Sequence, residues 1–216
     1  MDSEHAAGII ANMDRRHVGP PSPRCEQDRD NLVVLRGVSW AQYQAIVRAR
    51  EKASPKLAYL DGVLEVVTKS FRHELAKKFI ARLLEMYAVE CDVELIAAGE
   101  TTWGSKTKQA GAEADECYFI DKVRSRPDLA LEVVLTSGGI DKLEIYRRLR
   151  VREVWFWIES RFWLYALVDG IYQEIRASRV LAGIDLDELA RIVLTTDDDE
   201  QTAAVRTYRD ALRRRT

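Results

Sequence analysis

The stretch RPDLALEVVLTSGGIDKLEIYRRLRVREVWFWI, residues 126–158, decides how the chain is read. It holds an apolar strand with two carboxylates, a turn of small residues, a short amphipathic helix and a second apolar strand. Along 128–135, Leu129, Leu131, Val133 and Leu135 alternate with Asp128, Ala130, Glu132 and Val134. Strand side chains alternate between faces, so Asp128 and Glu132 project from the same side. A run this apolar predicts an interior strand covered on both faces. Carboxylates are costly in such a place unless they are paired, hydrogen-bonded or holding a metal. The plain alternative is two partnered structural carboxylates, with Asp128 merely opening the strand after Pro127.

The helix that follows Thr136–Gly139 adds a third charge. Placed on a wheel at about 100° per residue, Ile140, Leu143, Ile145, Tyr146 and Leu149 cover one arc. Asp141, Glu144 and Arg148 cover the other. Lys142 falls inside the apolar arc, so it points towards the sheet from the first turn, next to the end of the strand that carries Glu132.

Working outward, 216 residues of which 47% are hydrophobic can build one sizeable core. The formal net charge of −2 gives no global case for nucleic-acid binding, although a local basic patch would be hidden in that sum. Cys25, Cys91 and Cys117 are odd in number and lack CxxC spacing, which argues against a disulfide framework and a zinc site. No stretch approaches about 20 uninterrupted apolar residues and no apolar signal core opens the chain. The expectation is a soluble, cytoplasmic protein that does not enter a membrane.

Residues 1–31, with Gly19-Pro20-Pro21-Ser22-Pro23, are expected as a disordered tail, and His5 and His17 in it have no visible partners. Residues 32–180 are expected as the domain and 181–216 as a helical extension packing on or beside it. Ser39 predicts a helix N-cap, with a helix to about Lys52. Two apolar runs around Asp61-Gly62 predict a hairpin, and so do those around Asp169-Gly170. A long helix is expected over about 72–89, with His73 at the edge of its apolar face and Glu74 pointing away. A histidine there is more often structural than catalytic. Residues 91–98 predict a strand, 99–111 a polar loop, and 113–120 another strand with Asp115, Cys117 and Phe119 on one face. That strand and the central one are expected to be antiparallel neighbours, bringing Asp115 close to Glu132. Glu113 and Glu116 are expected to face solvent or flank the strand. The tryptophans read as core and edge cover, and the basic segment 206–215 as a solvated helix face.

With these residues in view, the chain resembles the Uma-two family of restriction-endonuclease-like proteins, part of the PD-(D/E)XK nuclease fold. The resemblance rests on LDGVLEVVTKSFRHE (60–74), GAEADECYFI (111–120) and PDLALEVVLTSGGIDKLEIYRRLRVREVWFW (127–157). It implies an α/β (α+β) restriction-endonuclease-like core, a mixed sheet of about four to five strands between helices, here with extra β-hairpins. It also implies magnesium (or manganese), DNA as substrate and hydrolysis of phosphodiester bonds. By position, Asp115 matches the first acid, Glu132 the second, and Lys142 a lysine shifted from the usual place, where this chain has Val134. The implied metal ligands are Asp115, Glu132 and the Val133 carbonyl, with Asp128 and His73 in support. Many fold members act as homodimers, and a homodimer is one assembly that the resemblance allows. Ala114 stands where a proline is usual and Arg150 where a glycine is usual, which predicts altered backbone rigidity and unchanged chemistry. The alternative function is a catalytically inactive descendant that binds nucleic acid or a protein partner and keeps the three charges as a buried ion cluster. A small-molecule hydrolase is disfavoured, because neither GxSxG nor a phosphate-cradling glycine loop is present.

Overall fold

The central strand is β8, Leu129–Val134, buried along nearly its whole length. In the computed structural model, which describes residues 29–50, 54–135 and 140–215, it lies inside a six-stranded mixed sheet. The elements before it are β1 (Asn31–Arg36), α1 (Trp40–Ala49), β2 (Lys56–Leu60), β3 (Val63–Thr68), α2 (Phe71–Glu90), β4 (Leu95–Ala97), β5 (Thr102–Ser105), β6 (Ala110–Glu113) and β7 (Glu116–Ile120). After it come α3 (Lys142–Leu149), β9 (Glu153–Ile158), β10 (Arg161–Val168), β11 (Ile171–Ile175), α4 (Leu186–Thr195) and α5 (Gln201–Arg213). The mixed sheet runs β11-β10-β9-β8-β7-β4, and a second, antiparallel sheet runs β1-β3-β2-β6-β5. Among the described residues only β8 and β9 pair in parallel. Parallel neighbours need a crossover, and α3 supplies it. The expected mixed sheet between helices is therefore present, lengthened by the β10–β11 hairpin and faced by the second sheet.

Alternation along β8 sets the layers. Leu129, Leu131 and Val133 join Phe79, Ile80, Leu83 and Leu84 of α2, Trp155 of β9, and Leu189, Val205, Tyr208 and Leu212 of α4 and α5 in one core. Each large apolar side chain fully buried there contributes about 1.5–3 kcal/mol. Ala130, on the other face, packs with Ile145, Tyr146 and Leu149 of α3 and with Ala58, Ala110 and Ala112 of the second sheet. Glu132 projects on that face, between the two sheets. A third cluster of Tyr43, Leu57, Tyr59 and Leu64 lies under α1. Gly111 allows that closeness, because a Cβ there would stand 2.5 Å from the Tyr43 hydroxyl.

The two hairpin readings hold. Asp61 and Gly62 have φ of 45° and 86°, Asp169 and Gly170 of 49° and 82°, the left-handed pair of a two-residue turn. Ser39 caps α1 through a reciprocal bond with Gln42. Residues 99–111, expected as a polar loop, instead form β5 and begin β6, whose polar positions hide the pairing. The stretch 113–120, expected as one strand, is two. Glu113 ends β6 in one sheet, Glu116 begins β7 in the other, and Asp115 sits in the corner between them. Of the expected tail, residues 1–28, with His5, His17 and Cys25, lie outside the described residues, as do the turn residues Thr136–Gly139. Asn31, by contrast, opens β1, and Asp30 is buried. Among the described residues no helix is long and apolar enough to cross a membrane.

Arg150 closes α3 in the left-handed region, at φ 60° and ψ 42°. A side chain there costs about 1–2 kcal/mol that glycine avoids. Arg150→Gly is therefore expected to stabilise the fold by roughly 1 kcal/mol, read as a higher urea midpoint at unchanged slope. An unchanged or lower midpoint contradicts it.

Candidate active site

Two backbone devices bring the acids together. At the corner, the Asp115 N–H donates to the Leu131 carbonyl at 3.1 Å. Asp115 Oδ2 accepts from the Val133 N–H at 2.7 Å, which locks the corner against β8. The other oxygen, Oδ1, lies 2.7 Å from Lys56 Nζ and 2.8 Å from Lys69 Nζ. Glu132 Oε2 accepts from Lys56 Nζ and Lys142 Nζ, each at 2.9 Å, and Oε1 accepts from the Tyr146 hydroxyl in a short bond. Both carboxylates are fully buried.

An outer ring surrounds this core. His73 Nδ1 lies 2.8 Å from Asp30 Oδ2, and Ser70 donates its N–H to Asp30 Oδ1 at 2.8 Å. His73 Nε2 is 3.3 Å from Asp115 Oδ1, near enough for attraction but off line for a hydrogen bond. Lys69 and Lys77 both bond Glu100, the latter at 2.8 Å. Lys56, Lys69, His73 and Lys142, with Glu65 and Asp30, line a narrow cleft of about 30 Å³ that Val133 and Val134 of β8 also border. That is room for a water or an ion, not for a nucleotide.

The charges hold one another. Burial alone would raise the Asp115 carboxyl, but Lys56, His73 and Lys69 outweigh it and hold it well below the usual carboxylate range. Burial works against the Lys142 ammonium too, and Glu132, Glu65 and Asp115 overcome it, so the amine stays charged. Lys69 is raised in the same way, against burial, by Asp115 and Glu100. Tyr146 is pushed up by burial and by Glu132, which keeps it a hydroxyl donor.

Despite the cost of its burial, His73 is raised above its ordinary 6.5 by Asp115 and Asp30. Its contribution to stability is then fully present below that value and lost as pH rises through the folded pKa. Urea stability of metal-free protein is expected to fall over that window above pH 6.5, and to fall less in His73→Gln. Parallel slopes for the two proteins would remove His73 from this role.

Of the residues singled out from sequence, Asp115, Glu132, Lys142 and His73 meet here. Val133 meets them through its N–H to Asp115. Asp128 does not join them. Its oxygens hold Arg152 at 2.8 Å, Arg124 at 2.6 Å and the Ile120 N–H at 2.9 Å, so it braces the start of β8. Glu113 and Glu116, expected to face solvent or flank, are both buried, because the corner tucks them in. Glu113 takes Arg50 and the Leu57 N–H, and Glu116 takes Lys78. Sequence reasoning passed over Lys56, Lys69, Asp30, Glu65 and the hydroxyl of Tyr146.

The donor set suits a hard divalent cation. Magnesium prefers oxygen ligands and is held by one or two carboxylates, with water and substrate phosphate completing its shell. Asp115 and Glu132 offer two such carboxylates. Among the described residues no group of three or more His, Cys, Asp or Glu is disposed to hold a metal ion.

Comparison with known proteins gives a match to the family model Uma2, "Putative restriction endonuclease", over residues 40–197. A search of solved structures finds the crystal structure of "a putative nuclease belonging to DUF820" from Anabaena variabilis. It is 12% identical, with a TM-score of 0.43, over 75% of this chain and 97% of that one. No curated protein matches. The family match spans well over half of the chain and includes every residue of the inner cluster, and the chain belongs to the Uma2 family of putative restriction endonucleases.

Proposed function

We propose that this protein is a metal-dependent endonuclease that hydrolyses DNA phosphodiester bonds at the Asp115–Glu132–Lys142 cluster. One observation carries the reading: two buried carboxylates, one at the corner between the sheets and one on β8, converge with a lysine from the following helix. Asp115 and Glu132 would hold magnesium or manganese. The chemistry supplied there, with an ion bound, would be activation of a water and neutralisation of phosphate charge. The chain's own groups do the rest. Lys142, held charged beside Glu132, balances negative charge growing on the phosphate. Tyr146 fixes the orientation of Glu132 through its hydroxyl. The Val133 N–H fixes Asp115 in the same way. Lys69 and Lys142 border the cleft, where they can meet phosphate charge, although Asp30 and Glu65 line it too.

A second reading is an inactive descendant with a structural ion cluster. It is favoured by the fact that each oxygen of Asp115 and Glu132 has a protein donor. Supercoiled plasmid separates the two. Nicking in magnesium or manganese, abolished by EDTA, is expected. Intact plasmid with either metal, from folded protein, would leave the inactive reading.

A further inference from the structure

One member of the cluster has no part in the chemistry above. Lys56 opens β2, and its residue is almost fully buried. Strand alternation sends Leu57 and Tyr59 to the cluster under α1, and sends Lys56 and Ala58 to the interface between the sheets. Its ammonium ends 2.7 Å from Asp115 Oδ1 and 2.9 Å from Glu132 Oε2. No other lysine in the cluster bridges these two acids. Lys142 reaches Glu132 and Lys69 reaches Asp115. A divalent ion held by both carboxylates would compete with this ammonium for the same oxygens. An ammonium and a divalent ion repel strongly in a buried site. Lys56 bridging and cation binding therefore exclude one another.

We propose that Lys56 is an internal stand-in for the metal. In the metal-free protein it bridges Asp115 and Glu132, keeps their charges from repelling and holds the site formed. It must leave both oxygens before a divalent cation binds. Lys56 also lines the cleft, so the displaced ammonium turns towards the space where a phosphate would enter. Metal loading is thereby weakened in the resting protein and favoured when a polyanion is present to receive the lysine. This inference rests on the metal-binding reading given above.

Calorimetric titration of manganese chloride into the wild type, Lys56→Met and Lys56→Gln tests it, with thermal melts in the presence and absence of manganese. Each variant is expected to melt below the wild type without metal, to bind manganese at least about tenfold tighter, and to gain more melting temperature from it. A folded variant that binds manganese no tighter than a wild type that does bind overturns the stand-in role alone. Manganese heat absent from all three proteins overturns the metal reading and this inference with it. A second measurement needs no variant. Acetylation of wild-type lysines, read by peptide mass spectrometry, should modify Lys56 several-fold more with manganese and a short DNA duplex present than without them. Equal modification in the two states counts against displacement.

Discussion

Glu132→Gln is expected to fold and to lose plasmid nicking by about two to three orders of magnitude. The substitution keeps the shape of the side chain, and its amide oxygen still accepts from Tyr146 or a lysine. What it removes is the negative charge on a fully buried group that touches Lys56 and Lys142. One of the two carboxylates available to a divalent ion is then neutral, and several kcal/mol of stabilisation at the phosphate go with it. Nicking rates in magnesium and in manganese, beside a melt that verifies folding, check the result. Nicking by Glu132→Gln within a few-fold of wild type would put the reaction elsewhere on the protein.

Asp115→Ala should act on the fold itself. It is expected to cost about 3–5 kcal/mol, the range for removing one partner of a buried charge pair. Lys56 and Lys69 lose a carboxylate oxygen at under 3 Å, and the Val133 N–H loses its acceptor. The Val133 N–H is left without an acceptor inside the seam, and the two ammoniums keep one carboxylate each, Lys56 on Glu132 and Lys69 on Glu100. The carboxyl is held well below its ordinary 3.8, so its contribution is present above that value and lost as pH falls through the folded pKa. Urea unfolding at neutral pH should therefore show the full deficit, and strongly acidic solution a smaller one. A deficit below about 1 kcal/mol at neutral pH would mean that the cluster is loosely hydrated.

How much of this was legible in the sequence depends on the residue. Lys142 was legible because a lysine inside an apolar helical arc contradicts its own solvation, and the structure joins it to Glu132. Glu132 was legible from strand alternation and a family resemblance; Asp115 was legible from the resemblance and the expected antiparallel neighbour, although it sits in a corner and not in a strand. Lys56 was not, because a lysine at the first position of a strand reads as a solvated flank. Only the burial of both faces of β2, a property of the second sheet, turns it inward. Glu65 did carry a signal, a lone carboxylate inside the apolar run VLEVV, and it pairs with Ala58 on the interface face. Asp30 was lost to the polar composition before it. The second sheet was illegible for a related reason. Two of its five strands are β5 and β6, short strands rich in glycine, alanine and polar residues, whose pairing is decided by what covers them.

The corner at Asp115, where the chain passes from one sheet to the other, has a consequence for the order of assembly. The groups that converge on the acids are remote in sequence: Lys56 is 59 positions from Asp115 and 76 from Glu132, and His73 is 43 from Asp30. Contacts of that separation form late, after the loops between them have closed. Neither sheet alone carries both Lys56 and Glu132. A half-folded chain, or one opened by a protease between the sheets, thus lacks the site altogether. On the metal-site reading, docking of the two sheets is therefore the structural precondition of the chemistry proposed at this cluster.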